Sequence, residues 1–264
     1  AYMLTGAYRI PSPTLTGSVM RDIVLINEVI GTKVAVSDHR SSAPTAEELA
    51  RLFSETRVGG MVGGKSGLAV THMGAGSTGV EPLIKAAEMS DTNLSKILPT
   101  HCGRNDRVFQ DAIRYSQMGG NFDLTADAPV DAARSGGAAR LVARALEQGV
   151  SITKITISSD GYGSQPVFNE NLECVGMTYS RCNTIHDELC RMVTKEHIPM
   201  EEALQTITSN VANRMGLSGR KGVITPGADA DLVVWDDRLR IVQVYARGKL
   251  AYNGGKPLLK GGFV

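Results

Sequence analysis

The sequence predicts an α/β fold, a metal-dependent (β/α)8 barrel of parallel strands wrapped by helices, followed by a short all-β segment. Three observations predict it. Short runs rich in Val, Ile, Leu and Thr recur along most of the chain, as buried parallel strands do. Amphipathic stretches of helical period separate them. Four runs carry or end on a side chain able to bind metal or move a proton: Lys33 in GTKVAVSDHR, His72 in GLAVTHMG, His101 in SKILPTHCGRN and Asp160 in ITISSDGYGSQP. Barrels place their chemistry at the carboxyl ends of their strands.

Strands are expected at 3–7, 33–37, 68–72, 96–101, 121–125 and 152–159. Between them AEELARLFSETR has Pro44 and Thr45 at its start, a proline and a cap. EPLIKAAEM, DRVFQDAIRYSQM and AARLVARALEQG read as amphipathic helices, the last two closed by glycine. Two more helices are expected near 186–196 and 199–215. After Leu217 the character changes to short strands with Gly and Asp turns, as in ADLVVWD and RIVQVYARGKLAYNGG. This places an incomplete barrel in 1–217 and the C-terminal strands of a small β-sandwich in 218–264. Six barrel strands instead of eight would leave two unpaired edges. AYMLTGAY also opens in strand pattern without a methionine, so the expectation is a chain lacking an N-terminal segment.

Composition narrows the function classes. A 264-residue chain that is 42% hydrophobic can bury a full core. Its net charge of +1 gives no electrostatic case for nucleic acid or an anionic membrane, and 5% aromatics argue against a base-stacking platform. No apolar run reaches the roughly 18–20 residues of a membrane span, and the first residues lack a signal-peptide pattern. Cys102, Cys174, Cys182 and Cys190 form no CxxC pair and read as reduced thiols of a cytoplasmic protein. Cys102 stands out because it follows His101.

Each candidate has a plainer reading. Lys33 lies inside an apolar strand, where an ammonium is costly unless paired. It is either paired with a carboxylate such as Asp38 or carboxylated by carbon dioxide, which turns a cation into a two-oxygen anion able to bridge two metals. A single histidine is more often structural than a ligand, but His72 and His101 end consecutive strands, and imidazole suits zinc. Asp160 is either a turn residue of the Asp-Gly pair or a carboxylate that holds metal and takes a proton from the attacking water. Arg40 and Arg104 follow strand ends and form surface ion pairs or grip a substrate carboxylate. Tyr8 ends the first strand, where its hydroxyl can reach a substrate carbonyl. His39 lies in a loop beside the site, and His186 and His197 belong to surface helices. The stretch Gly59 to Ser66 fits the phosphate-loop pattern letter for letter, but a helix precedes it and a strand follows, the reverse of what phosphate binding needs. A flexible glycine link is expected there.

The segments GAYRIPSPTLTGS, KVAVSDHRS, GGKSGLAVTHMG, LPTHCGRN and SSDGYGSQP resemble the isoaspartyl (β-aspartyl) dipeptidases of the amidohydrolase superfamily, over nearly all 264 residues. PGADADLVVWD and VYARGKL resemble C-terminal strands common to that superfamily. The resemblance implies strands three to eight of the barrel and hydrolysis of β-aspartyl dipeptides by a zinc-activated hydroxide. It implies two Zn2+ per complete site, bridged by carboxylated Lys33, with His72 and His101 on one zinc and Asp160 on the other. Asp160 would also shuttle the proton, Tyr8 would stabilise the oxyanion, and Arg40, Arg104 and Ser164 would contact substrate carboxylates. It further implies a small dipeptide substrate and a homo-oligomer. The family's first-strand His-x-His pair does not occur in the 264 residues. Two rival expectations are a cyclic amidase of the dihydroorotase or hydantoinase kind and a non-catalytic barrel subunit.

Overall fold

The computed structural model describes residues 1–126, 137–170 and 173–259. Six parallel strands follow one another in chain order: β1 (Met3–Thr5), β2 (Val29–Val36), β3 (Leu68–Met73), β4 (Ile97–Thr100), β5 (Phe122–Thr125) and β6 (Ile155–Ser158). Helices α1 (Val19–Leu25), α2 (Ala46–Gly63), α3 (Glu81–Met89), α4 (Asp106–Gln117) and α5 (Gly137–Glu147) fill the five connections between them. Helices α6 (Thr184–Thr194), α7 (Met200–Gln205) and α8 (Ser209–Arg214) follow. Strands β1 to β4 form one hydrogen-bonded sheet in sequential order, and β5 pairs with β6. This is the alternating α/β barrel architecture expected from the sequence.

Strands β2 to β6 are largely buried on both faces, which is why they read as apolar runs rather than alternating ones. In β2 every residue except Lys33 is buried. Gly31 is required there, because a Cβ at that position would sit 2.0 Å from the Leu68 carbonyl oxygen of β3. Phe53 of α2, Leu83 of α3 and Phe109 of α4 join the strands in one core with exposures of 1% or less. Each large side chain removed from water in this way contributes about 1.5–3 kcal/mol.

The helix boundaries have local causes. Thr45 caps α2 and closes a capping box with Glu48. Beyond the predicted 46–57, α2 continues through Gly59, Gly60 and Gly63 to a left-handed cap at Gly64. The expected flexible link is therefore largely helix. Its glycines allow close packing, since a Cβ on Gly60 would lie 2.5 Å from the Gly67 Cα. Lys65 donates to the carbonyl oxygens of Ile23 and Ile26 at 2.5 Å each, at the C-terminal end of α1.

Two elements depart from the sequence pattern. β7 (Ser164–Phe168) and β8 (Cys174–Tyr179) form an antiparallel ribbon where no strand was expected. Strands β9 (Leu232–Trp235), β10 (Ile241–Ala246), β11 (Lys249–Asn253) and β12 (Lys256–Pro257) form an antiparallel sheet in the order β12-β11-β10-β9, which fits part of a small β-sandwich. Residues 260–264 of the predicted C-terminal segment lie outside the described residues. Among the described residues no helix is long and apolar enough to cross a membrane.

Candidate metal centre

Tyr8, His101 and Asp160 follow the ends of β1, β4 and β6, where turns aim them, whereas Lys33 stands within β2 and His72 within β3. Gly6 follows β1 with φ +106, and a Cβ there would meet the Lys33 carbonyl oxygen at 2.6 Å. This close passage over β2 delivers Tyr8 to the centre. The loop beyond is held by Asp22 of α1, whose carboxylate accepts from the Thr16 amide and hydroxyl at 2.7 Å each. His101 and Asp160 both sit in left-handed backbone, at φ 64 and 49, immediately or shortly after β4 and β6. Such non-glycine geometry costs on the order of 1–3 kcal/mol and clusters at functional sites.

The two imidazoles meet edge to face, with ring centroids 4.4 Å apart. His72 Nδ1 lies 3.0 Å from the Tyr8 hydroxyl. His72 Nε2 lies 2.9 Å from Asp38 Oδ2 and 3.0 Å from Arg40 Nη2. Arg40 also donates from Nε and Nη2 to the two oxygens of Asp38. Asp38 is thus the partner of Arg40 and His72. The alternative pairing of Asp38 with Lys33 is not what the structure has, and among the described residues no ion pair involves Lys33. Lys33 pairs in register with Val70, two residues before His72. It is half-buried rather than enclosed, so the desolvation cost expected from sequence is smaller.

His101 Nδ1 is 2.7 Å from Thr125 Oγ1, while its Nε2 is buried with no hydrogen-bond partner. Arg104 donates from Nε to the Met73 carbonyl. Its guanidinium, with Lys33 and Arg40, sets the field at Asp160. Ser164 is exposed at the start of β7, and among the described contacts it makes none to the imidazole cluster. His39 is at the surface, with Nδ1 3.6 Å from Asp38. His186 lies near Cys190 and Trp235, away from the cluster. Cys102 is fully buried and its thiol points to the Pro99 carbonyl; burial raises its pKa strongly, so it is neither nucleophile nor ligand. All four cysteines are free. Sequence reasoning missed Thr125 and Asp123, and the Lys33–Asp38 pair it offered as one alternative is not formed.

Protonation follows from burial. Burial pulls His72 down to about 4, with Asp38 opposing, and pulls His101 to about 2, helped by His72 and the cations Arg104, Lys33 and Arg40. Burial raises Asp38, but hydrogen bonds from Arg40 and His72 outweigh it and hold the carboxyl well below its usual range. Burial raises Asp160 against the pull of Lys33, Arg104 and Arg40. Both imidazoles are therefore neutral at pH 7, as metal ligation requires. Unfolded imidazoles protonate near 6.5, so the stability held by neutral His72 is fully present above that pH. It is lost as pH falls toward about 4, and it amounts to roughly 3 kcal/mol. The melting temperature of the metal-free chain should drop steeply between pH 6.5 and 4, and His72→Gln should drop less. Parallel pH curves for the two proteins would refute this.

The donor set fits one metal position. Two neutral imidazoles adjoin, and one carries a buried nitrogen without a partner. A half-buried lysine that can become a carbamate and the carboxylate of Asp160 share their electrostatic field. Among the described residues no three His, Cys, Asp or Glu side chains form a group that could hold an ion, so a centre here would need Lys33 as a further donor.

Residues 32–254 match the Amidohydrolase family. A β-aspartyl dipeptidase from Fervidobacterium islandicum AW-1, solved with the dipeptide β-Asp-Leu, superposes with a TM-score of 0.89 and 36% identity over 99% of this chain and 68% of that one. N-acetylglucosamine-6-phosphate deacetylase of Bos taurus is 29% identical over 127 residues, which are 44% of this chain and 31% of the deacetylase; the match thus spans about a third of that relative's length. An adenosine deaminase from Xanthomonas campestris with bound zinc shares the fold alone, at 13% identity and a TM-score of 0.57 over 98% of this chain and 63% of its own.

Proposed function

Because this chain belongs to the amidohydrolase family, we propose that its protein is a zinc-dependent hydrolase that cleaves the amide bond of β-aspartyl dipeptides. The observation that supports this furthest is the likeness along nearly the whole chain to a dipeptidase solved with such a substrate. The site adds two arginines beside a neutral imidazole pair, a composition suited to a small substrate bearing carboxylates.

In this reading His72, His101, Asp160 and Lys33 as a carbamate would hold the zinc. Bound zinc would supply a water activated at neutral pH and polarise the scissile carbonyl. The chain does the rest. Asp160, half-buried and raised by that burial, takes a proton from the water and returns it to the leaving amine. Tyr8, whose hydroxyl is 3.0 Å from His72 Nδ1, donates to the oxygen that gains negative charge. Burial raises the Tyr8 phenol, so it keeps the proton it needs to donate. Arg104 and Arg40 bind substrate carboxylates. Asp38 occupies Nε and Nη2 of Arg40, which leaves Nη1 for the substrate.

The test is hydrolysis by the full-length, zinc-loaded protein of β-Asp-Leu against α-Asp-Leu, a cyclic amide and N-acetylglucosamine 6-phosphate. Preference for β-Asp-Leu is expected. Turnover of the cyclic amide or the sugar without β-Asp-Leu cleavage would replace this reading with an amidase or a deacetylase. Turnover of none would favour a non-catalytic barrel. Arg104→Ala should raise KM roughly tenfold to a hundredfold, the loss of one charged hydrogen bond of about 1.5–3 kcal/mol, with zinc content unchanged. An unaltered KM would remove Arg104 from substrate binding.

A further inference from the structure

Strand β5 supplies none of the candidate ligands, yet two of its side chains reach the strands that do. Asp123 is 4% exposed, and three hydroxyls donate to it: Thr100 to Oδ2 at 2.6 Å, Ser158 to Oδ2 at 2.6 Å and Thr156 to Oδ1 at 2.8 Å. Thr100 immediately precedes His101, and Ser158 stands two residues before Asp160. The sheet ladder breaks between β4 and β5. The amide of Cys102 bonds across the break to the Asp123 carbonyl oxygen at 3.1 Å. A buried carboxylate is costly unless fully hydrogen-bonded. Here its side-chain bonds bridge the break to β4 and add to the main-chain ladder that β5 already makes with β6.

Two residues further along, Thr125 Oγ1 lies 2.7 Å from His101 Nδ1. That contact consumes Nδ1 and leaves Nε2 buried without a partner. With Arg104, Lys33 and Arg40 all acting on this ring, a lone pair at Nε2 is favoured over an N–H pointing into a positive field.

We propose that β5 is the positioning strand of the metal centre. Thr125 accepts the Nδ1–H of His101 and so turns the Nε2 lone pair toward the metal, while Asp123 fixes the ends of β4 and β6 that carry His101 and Asp160. The proposal rests on the metallohydrolase reading, and its test separates the two. Outer partners of ligating histidines typically change metal affinity 10- to 100-fold.

The full-length protein is prepared as wild type, Thr125→Val, Thr125→Ser and Asp123→Asn. Nitrogen-15 NMR of histidine in the metal-free proteins reads the tautomer, and competition with a chelator reads the zinc Kd. Wild type and Thr125→Ser should hold the His101 proton on Nδ1, and Thr125→Val should lose that single tautomer. Zinc Kd should rise roughly 10- to 100-fold in Thr125→Val and in Asp123→Asn, with the serine variant close to wild type. A wild-type proton on Nε2, or zinc bound by Thr125→Val as tightly as by wild type, overturns the role of Thr125. Unchanged zinc affinity in Asp123→Asn overturns that of Asp123. A wild type that binds no zinc but keeps the proton on Nδ1 defeats the metallohydrolase reading and supports the hold of Thr125 on the ring.

Discussion

Lys33→Ala is expected to lower turnover of β-Asp-Leu by the full-length protein roughly a thousandfold or more, on the order of 4 kcal/mol of barrier. The size follows from what is lost. In the proposed centre the Lys33 carbamate would be an anionic donor beside two uncharged imidazoles. Without it, the remaining anionic donor would be Asp160, set amid Arg40 and Arg104. Zinc content should fall together with rate. Because the carbamate forms from carbon dioxide, wild-type protein reloaded with zinc in degassed buffer should recover activity more slowly than in bicarbonate. Full zinc and full rate in Lys33→Ala would remove Lys33 from the centre.

Asp160→Asn has the second largest expected effect, a drop in kcat of about a hundredfold to ten-thousandfold, the usual range for a positioned acid or base. Asparagine keeps the shape but can neither take the proton of the water nor deliver one to the amine. Burial lifts the carboxyl of Asp160 above its ordinary value in the metal-free chain, and its ionised form is the base. Wild-type kcat should therefore rise with pH as that carboxyl ionises in the zinc-loaded protein and then level. The variant should lose this acid limb. An acid limb that persists in Asp160→Asn would mean that another group accepts the proton.

The barrel strands were legible because parallel strands buried on both faces leave uninterrupted apolar runs. His72 and His101 were legible because each is a polar break at the end of such a run. Other features left no such trace. Helix α1 spans seven residues, too few for a helical period to emerge. The β7–β8 ribbon is largely exposed along β8, so no burial pattern marks it. Asp38 lies near Lys33 in sequence, but its partners come from the next strand and from Arg40 folding back over it, and only the three-dimensional register makes that choice. Asp123 and Thr125 occupy alternate positions of a four-residue strand. A buried aspartate satisfied by three hydroxyls from two other strands has no local signature. The candidate ligands were visible in the sequence, and the residues packed behind them were not.

The lysine at the end of the glycine-rich stretch shows how such a pattern can be spent internally. Lys65 bonds two carbonyl oxygens at the end of α1. Those oxygens belong to the same molecule and are held in place by the fold, so they act as a tethered competitor at high effective concentration. A nucleotide phosphate would have to displace both and unwind the last turn of α2 to expose the glycine amides, which the helix already uses. The eight letters from Gly59 to Ser66 therefore encode a helix junction that supplies its own ligand.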